Sequence, residues 1–140
     1  PEAASSWFLP RLIGINKALE LCYTGKIISA EEAKEIRLVS EILNQDKLIG
    51  RALEIAKEFT AESSQISIAL TRQMMWRMLG ADDPMEAHKI DSRAVFELGQ
   101  SGEAIEGVNS FLEKRPPSFP GKVSKDMPSF FPWWDEKEFE

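Results

Sequence analysis

The sequence predicts a mainly α-helical chain with one short β element. Apolar residues recur at helical spacing through most of the chain, and Ser or Asp stands ahead of several of these stripes where a helix cap is needed. Only LVSEIL, residues 38–43, alternates apolar and polar residues as a half-buried strand would.

The elements follow in order. PEAASSWFLPRLIG opens with a lone carboxylate, Glu2, ahead of a small-residue run and an apolar segment that can be helical. In GINKALELCYTG, Asn16 is the expected cap, Ala18, Leu19, Cys22 and Tyr23 share a face, and Gly25 offers a left-handed stop. SAEEAKEI places Ser29 three residues before Glu32, the spacing of a reciprocal capping box. From Asp46 onward two long helices are expected. Their stripes are Ile49, Ala52, Leu53, Ala56 and Phe59, then Ile66, Ala69, Leu70, Met74 and Met78. Asp83, Pro84 and Glu86 supply cap, first-turn proline and capping-box acid for a third long helix that Gly99 ends. Ser101 caps a fourth, with an apolar face of Ala104, Ile105, Val108, Phe111 and Leu112, before Pro116 and Pro117 stop it. The remaining tail has no helical period but carries Phe119, Phe130, Phe131, Trp133 and Trp134. A disordered tail is poor in aromatics, so this one is expected to be extended and packed, on its own body or on a neighbouring subunit.

Composition narrows the function. With 140 residues, 43% hydrophobic and 29% charged, the chain is long enough for one domain with a sizeable core. Net charge is −6 and basic residues are interleaved with acidic ones, which argues against nucleic acid as a partner. No apolar run reaches the roughly 20 residues that a membrane-spanning helix needs, so no membrane partner is expected. The single Cys22 excludes an intrachain disulfide and a multi-cysteine metal site and suits a reducing compartment, with the cytoplasm expected. The chain starts at Pro1 without an initiator Met, which leaves room for a targeting leader upstream and keeps a mitochondrial address open.

Most candidate chemistry has a plain structural reading. Ser5 and Ser6 have no histidine base nearby and read as helix caps, Cys22 as a packed thiol, and His88 as a surface or interface residue without metal-ligand neighbours. Met74, Met75, Trp76 and Met78 read as core or interface. No phosphate loop, zinc spacing or dinucleotide fingerprint is present. Composition and spacing leave one soft candidate, Glu2, which can equally be a solvated acid near a helix start.

PEAASSWFLPRLIG, then ALELCYTGKIISAEEAKEIRLVSEIL, and much later EGVNSFLEKRPPSF, resemble the C-terminal half of the crotonase superfamily, the enoyl-CoA hydratase/isomerase family. The three segments occur in the family's order and spacing over residues 1 to 119, and PGKVSKDMPSFFPWW resembles an extension found in some members. The resemblance implies that residues 1–44 are the end of the crotonase spiral α/β core (the ClpP/crotonase fold), that 45–115 form a helical trimerisation region, and that 116–140 are an extended aromatic tail. It also implies that the family's N-terminal half precedes Pro1, with most of the coenzyme A surface and the two backbone amides of the oxyanion hole.

The resemblance gives Glu2 a role. In family isomerases with a PEG- or PEA-type sequence at this point, the glutamate matching Glu2 is the catalytic base, whereas typical hydratases have a small residue there. Glu2 thus favours double-bond migration over hydration. Phe111 and Lys114 match the aromatic and lysine that reach the acyl-CoA site of an adjacent subunit. A coenzyme A thioester is then the substrate, no further cofactor or metal is implied, and the expected partners are copies of the same chain, as a trimer or dimer of trimers, with the N-terminal half. One departure stands at Arg37, where the family usually has Gly at a left-handed helix stop; Arg there costs about 1 kcal/mol. Two other readings remain: a non-catalytic oligomerisation module of a degenerate crotonase-like protein, and an unrelated helical adaptor.

Overall fold

The structure, a computed structural model, describes residues 2–138; Pro1, Phe139 and Glu140, which the predicted segments 1–44 and 116–140 include, lie outside the described residues. Seven α-helices occur among the described residues: α1 Ser5–Ile13, α2 Ile15–Thr24, α3 Ala30–Glu35, α4 Gln45–Ala61, α5 Gln65–Met78, α6 Pro84–Gly99 and α7 Gly102–Glu113. They fall into two compact units, Pro1–Arg51 and Ala52–Glu140.

In the first unit α1 packs on α2. Ala4, in the left-handed conformation, precedes α1 and gives no side-chain cap, so Ser5 and Ser6 lie inside the helix instead of capping it. Gly14, at φ 80°, ends α1 and starts α2 at once, which puts Asn16 in the first turn of α2 and leaves the expected Asn cap unmade. Ala18 is buried, while Tyr23 is exposed and Cys22 is exposed too, correcting the packed thiol. The reason is that α2 packs chiefly on α1, which covers too narrow a strip to shield the whole apolar face. Gly25 ends α2 at φ 59°, as expected.

Ser29 caps α3 by accepting the Glu32 N–H at 3.1 Å. The return half of the capping box is replaced by ion pairs, for the Glu32 carboxylate takes Lys26 at 2.8 Å and Lys17 at 3.5 Å. Arg37 adopts φ 63° after α3. Its N–H donates to the Lys34 carbonyl and the Leu38 N–H to that of Ala33, the paired bonds of a Schellman stop, here made without glycine. The strand expected over residues 38–43 is absent: those residues have no regular structure. Leu38 and Val39 spend their amide donors on the Ala33 carbonyl, at 2.8 and 3.3 Å, and no strand exists among the described residues for the segment to pair with.

In the second unit α5 packs on α6 and α6 on α7. Ser64, Asp83 and Ser101 cap the three helices by accepting the N–H groups of Ser67, Met85 and Glu103. The core is small, with Ile66 and Leu70 its buried apolar side chains. The face that α7 buries is not the one its apolar periodicity selects. Glu103 and Ser110 are buried, one face two turns apart, whereas Ile105, Val108, Phe111 and Leu112 are exposed. The tail explains the inversion. Phe119 and Pro120 fold back onto α7 where Gly102 and Gly107 present no side chains, each within 4 Å of where a Cβ would stand.

Farther along, Ser129 donates its N–H and hydroxyl to the Glu97 carboxylate, both at 2.8 Å. Arg77 lies 3.3 Å from the centre of the Trp134 ring, which itself packs edge-on against Phe131 and Trp133. Within this chain the tail rests on the body of the second unit.

Candidate functional site

Glu2 sits at the mouth of α1. Its N–H donates to Ser5 Oγ at 3.2 Å and its carbonyl accepts the Ser5 N–H at 2.9 Å, so the backbone is fixed and the carboxylate is not part of the turn. Ala3 and Ala4 follow at φ 51° and 55°, each in a conformation that costs an L-residue roughly 1–2 kcal/mol. That strain sharpens the bend in front of α1 and leaves Glu2 exposed on it. A carboxylate so placed is an acceptor with unspent lone pairs, able to take a proton from a group brought against it.

Phe111 and Lys114 belong to the second unit and come together there. Both line an open groove of about 470 Å³ with Glu62, Arg115, Pro117 and Phe119. Phe111 is 82% exposed, so its ring is available for an apolar chain to lie against. Lys114 is the left-handed residue that ends α7, at φ 53°. Its N–H donates to the Phe111 carbonyl at 3.2 Å and the Arg115 N–H to that of Ser110 at 3.0 Å, a second Schellman stop built on a charged residue. The left-handed stop at Lys114, not Pro116 and Pro117, is what ends the helix.

Sequence reading passed over the groove's rim. Glu106 receives the Arg115 fork at 2.6 and 2.9 Å and the Ser118 N–H at 2.6 Å. The guanidinium and that amide hold the Glu106 carboxyl at about 2, well below the usual 4.5. The pair is nine residues apart, outside the helical i,i+4 rule, and its sequence signal is opposite charges on either side of the helix end at Lys114.

The remaining candidates keep structural roles. His88 is exposed beside Asp91 and Phe96 on a shallow surface groove, and no cluster able to hold a metal ion occurs among the described residues. Between α5, α6 and α7 an apolar cleft of about 660 Å³ is lined by Leu70, Met74, Val95, Leu98 and Phe119, so Met74 faces a cleft and not a closed core. No helix among the described residues is long and apolar enough to cross a membrane.

The enoyl-CoA hydratase/isomerase family profile matches residues 1–122, which include Glu2, Phe111 and Lys114. An enoyl-CoA hydratase of Alternaria alternata is 42% identical over 119 residues, 84% of this chain and 40% of its own. The 1,2-epoxyphenylacetyl-CoA isomerase of Escherichia coli is 28% identical over 128 residues, 87% of this chain and 46% of its own. The crystal structure of an enoyl-CoA hydratase from Bacillus anthracis superposes with a TM-score of 0.79 at 33% identity, covering 87% of this chain and 46% of that one. The chain thus spans less than half the length of these relatives. With the profile matched from its first residue to the tail, the chain belongs to the enoyl-CoA hydratase/isomerase family.

Proposed function

We propose that this chain forms the C-terminal half of an acyl-CoA-processing enzyme, of enoyl-CoA isomerase or hydratase type, with Glu2 as its acid/base. The family match over residues 1–122, with a free glutamate on the bend before α1, carries the reading. A thioester acidifies its α-carbon. Glu2 removes that proton from a β,γ-unsaturated acyl-CoA, the electrons pass through the enolate, and the same carboxylate returns the proton at the γ-carbon, leaving the double bond conjugated. The enolate oxygen needs two aimed backbone donors, and these come from the part of the enzyme that precedes residue 1. The reaction uses no cofactor beyond the coenzyme A thioester that is its substrate.

Lys114 and Phe111 serve as a phosphate contact and an apolar contact for the acyl-CoA of an adjacent subunit. Assembly as a trimer or dimer of trimers through residues 45–115 goes with this. It is supported by the outward apolar faces of α4 and α7, where Ile49, Leu53, Phe59, Ile105, Val108 and Leu112 are all exposed. Those same faces favour the second reading, a non-catalytic oligomerisation module. The cytoplasm is the proposed compartment.

Glu2→Gln in the full-length enzyme separates the two readings. Loss of turnover on 3-enoyl-CoA and 2-enoyl-CoA thioesters, with assembly unchanged, supports catalysis; unchanged turnover in that variant removes Glu2 from the chemistry.

A further inference from the structure

Lys114 holds a backbone conformation that glycine takes without strain, yet the residue there is a lysine whose side chain makes no ion pair among the described residues. Its neighbour is the opposite case. Arg115 gives Nη1 and Nη2 to Glu106, Nε to Glu113 at 2.6 Å, and Nη1 again to the Pro116 carbonyl at 3.2 Å. Two carboxylates therefore neutralise Arg115, and Lys114 is left as the cation this groove can offer an anionic ligand, with the Glu62 carboxylate on the same lining.

One carboxylate spans the turn. Glu106 stands on α7 before Lys114 and binds Arg115 just after it and the Ser118 amide beyond the two prolines. The segment 114–118 is thus pinned at both ends to one side chain, which is itself only 16% exposed. A pinned turn keeps a strained residue from relaxing.

We propose that the Glu106–Arg115 pair is a positioning device that holds Lys114 at the groove for the phosphate-bearing end of an acyl-CoA. This rests on the reading of Lys114 as an acyl-CoA contact and adds the residues that make it one. Glu106 and Arg115 touch no ligand in this account; they act through Lys114.

The test is a double-mutant cycle in the full-length enzyme. Affinity for a saturated acyl-CoA and KM and kcat for a 3-enoyl-CoA are measured in Glu106→Gln, Lys114→Met and the double variant. Lys114→Met is expected to weaken affinity about tenfold, Glu106→Gln about threefold, and the double variant no more than Lys114→Met alone, with kcat changed less than about twofold in Glu106→Gln. Should Glu106→Gln not fold, Arg115→Lys, which keeps the charge and loses the fork, is expected to show the same coupling. Additive losses overturn the proposal, as does full affinity in Glu106→Gln beside a weakened Lys114→Met. Full affinity in Lys114→Met removes the underlying reading of the groove, a distinguishable result, and the proposal falls with it.

Discussion

The backbone N–H of Gly121 donates to Oε1 of Glu103 at 2.7 Å, tying the tail to the first turn of α7. The other carboxylate oxygen accepts the hydroxyl of Ser64, the cap of α5, so one buried acid joins two helix starts and the tail. Among the described residues no lysine or arginine pairs with it; two neutral donors satisfy it instead.

Gly121 has no room for a methyl group. A Cβ there would stand 2.5 Å from Ile66 Cδ1 and 2.7 Å from Glu103 Oε1, and neither atom is free to move, the first being buried and the second hydrogen-bonded. Gly121→Ala is expected to destabilise the second unit by about 1–3 kcal/mol, the usual range for overpacking. Urea denaturation checks it, and an unchanged midpoint would mean that the tail is not seated on Glu103.

The acid limb of the stability curve should carry the signature of Glu106. Its carboxyl titrates near 2 in the fold against 4.5 unperturbed, so the stabilisation it gives is fully present above about 4.5 and is lost as pH falls through about 2. Glu20, Glu32 and Glu41 are lowered in the same sense by Lys17, Lys26 and Arg51. Glu106→Gln is therefore expected to be less stable than the parent at about pH 7 and to converge with it toward about pH 2, read from denaturant midpoints across that window. A constant gap would contradict the assignment.

Lys114 sets stability against binding. Lys114→Gly removes a left-handed L-residue and is expected to raise stability by about 0.5–1 kcal/mol after the added entropy of the unfolded chain. Acyl-CoA affinity of the full-length enzyme should fall in the same variant. A variant that gained in both would show that the lysine is incidental.

Exposed apolar surface makes the 140-residue chain a poor monomer. In the first unit Phe8, Leu12, Ile15 and Leu19 are each at least 39% exposed, and α4 and α7 add exposed apolar residues of their own. Light scattering is expected to give a mass above the 15.8 kDa of one chain. A monodisperse monomer would contradict it.

What the sequence disclosed was mostly local. Ser29, Asp83 and Ser101 cap the helices they precede, and Gly25 stops its helix, because caps depend on a few neighbouring residues. Arg37 keeps the left-handed stop that the family makes with glycine, through two backbone bonds that no side chain alters. Long-range features were not legible. The burial of Glu103 depends on a tail residue 18 positions on, and hydrophobic periodicity would have assigned that face of α7 to solvent. The strand over 38–43 failed because pairing needs a partner, which alternation in one segment cannot reveal. Glu2, Phe111 and Lys114 were reached through the family resemblance and not through spacing, whereas Glu106 and Arg115 needed coordinates.

The central claim is that Glu2 moves the α-proton of an acyl-CoA, and proton exchange reads that step without waiting for the full reaction. Full-length enzyme and Glu2→Gln would be incubated in deuterium oxide with a 3-enoyl-CoA, and deuterium at the α-carbon followed by mass spectrometry. The account expects rapid incorporation with the parent and a fall of about 10²–10⁴ in Glu2→Gln, with acyl-CoA affinity retained. Equal incorporation by both proteins would contradict it.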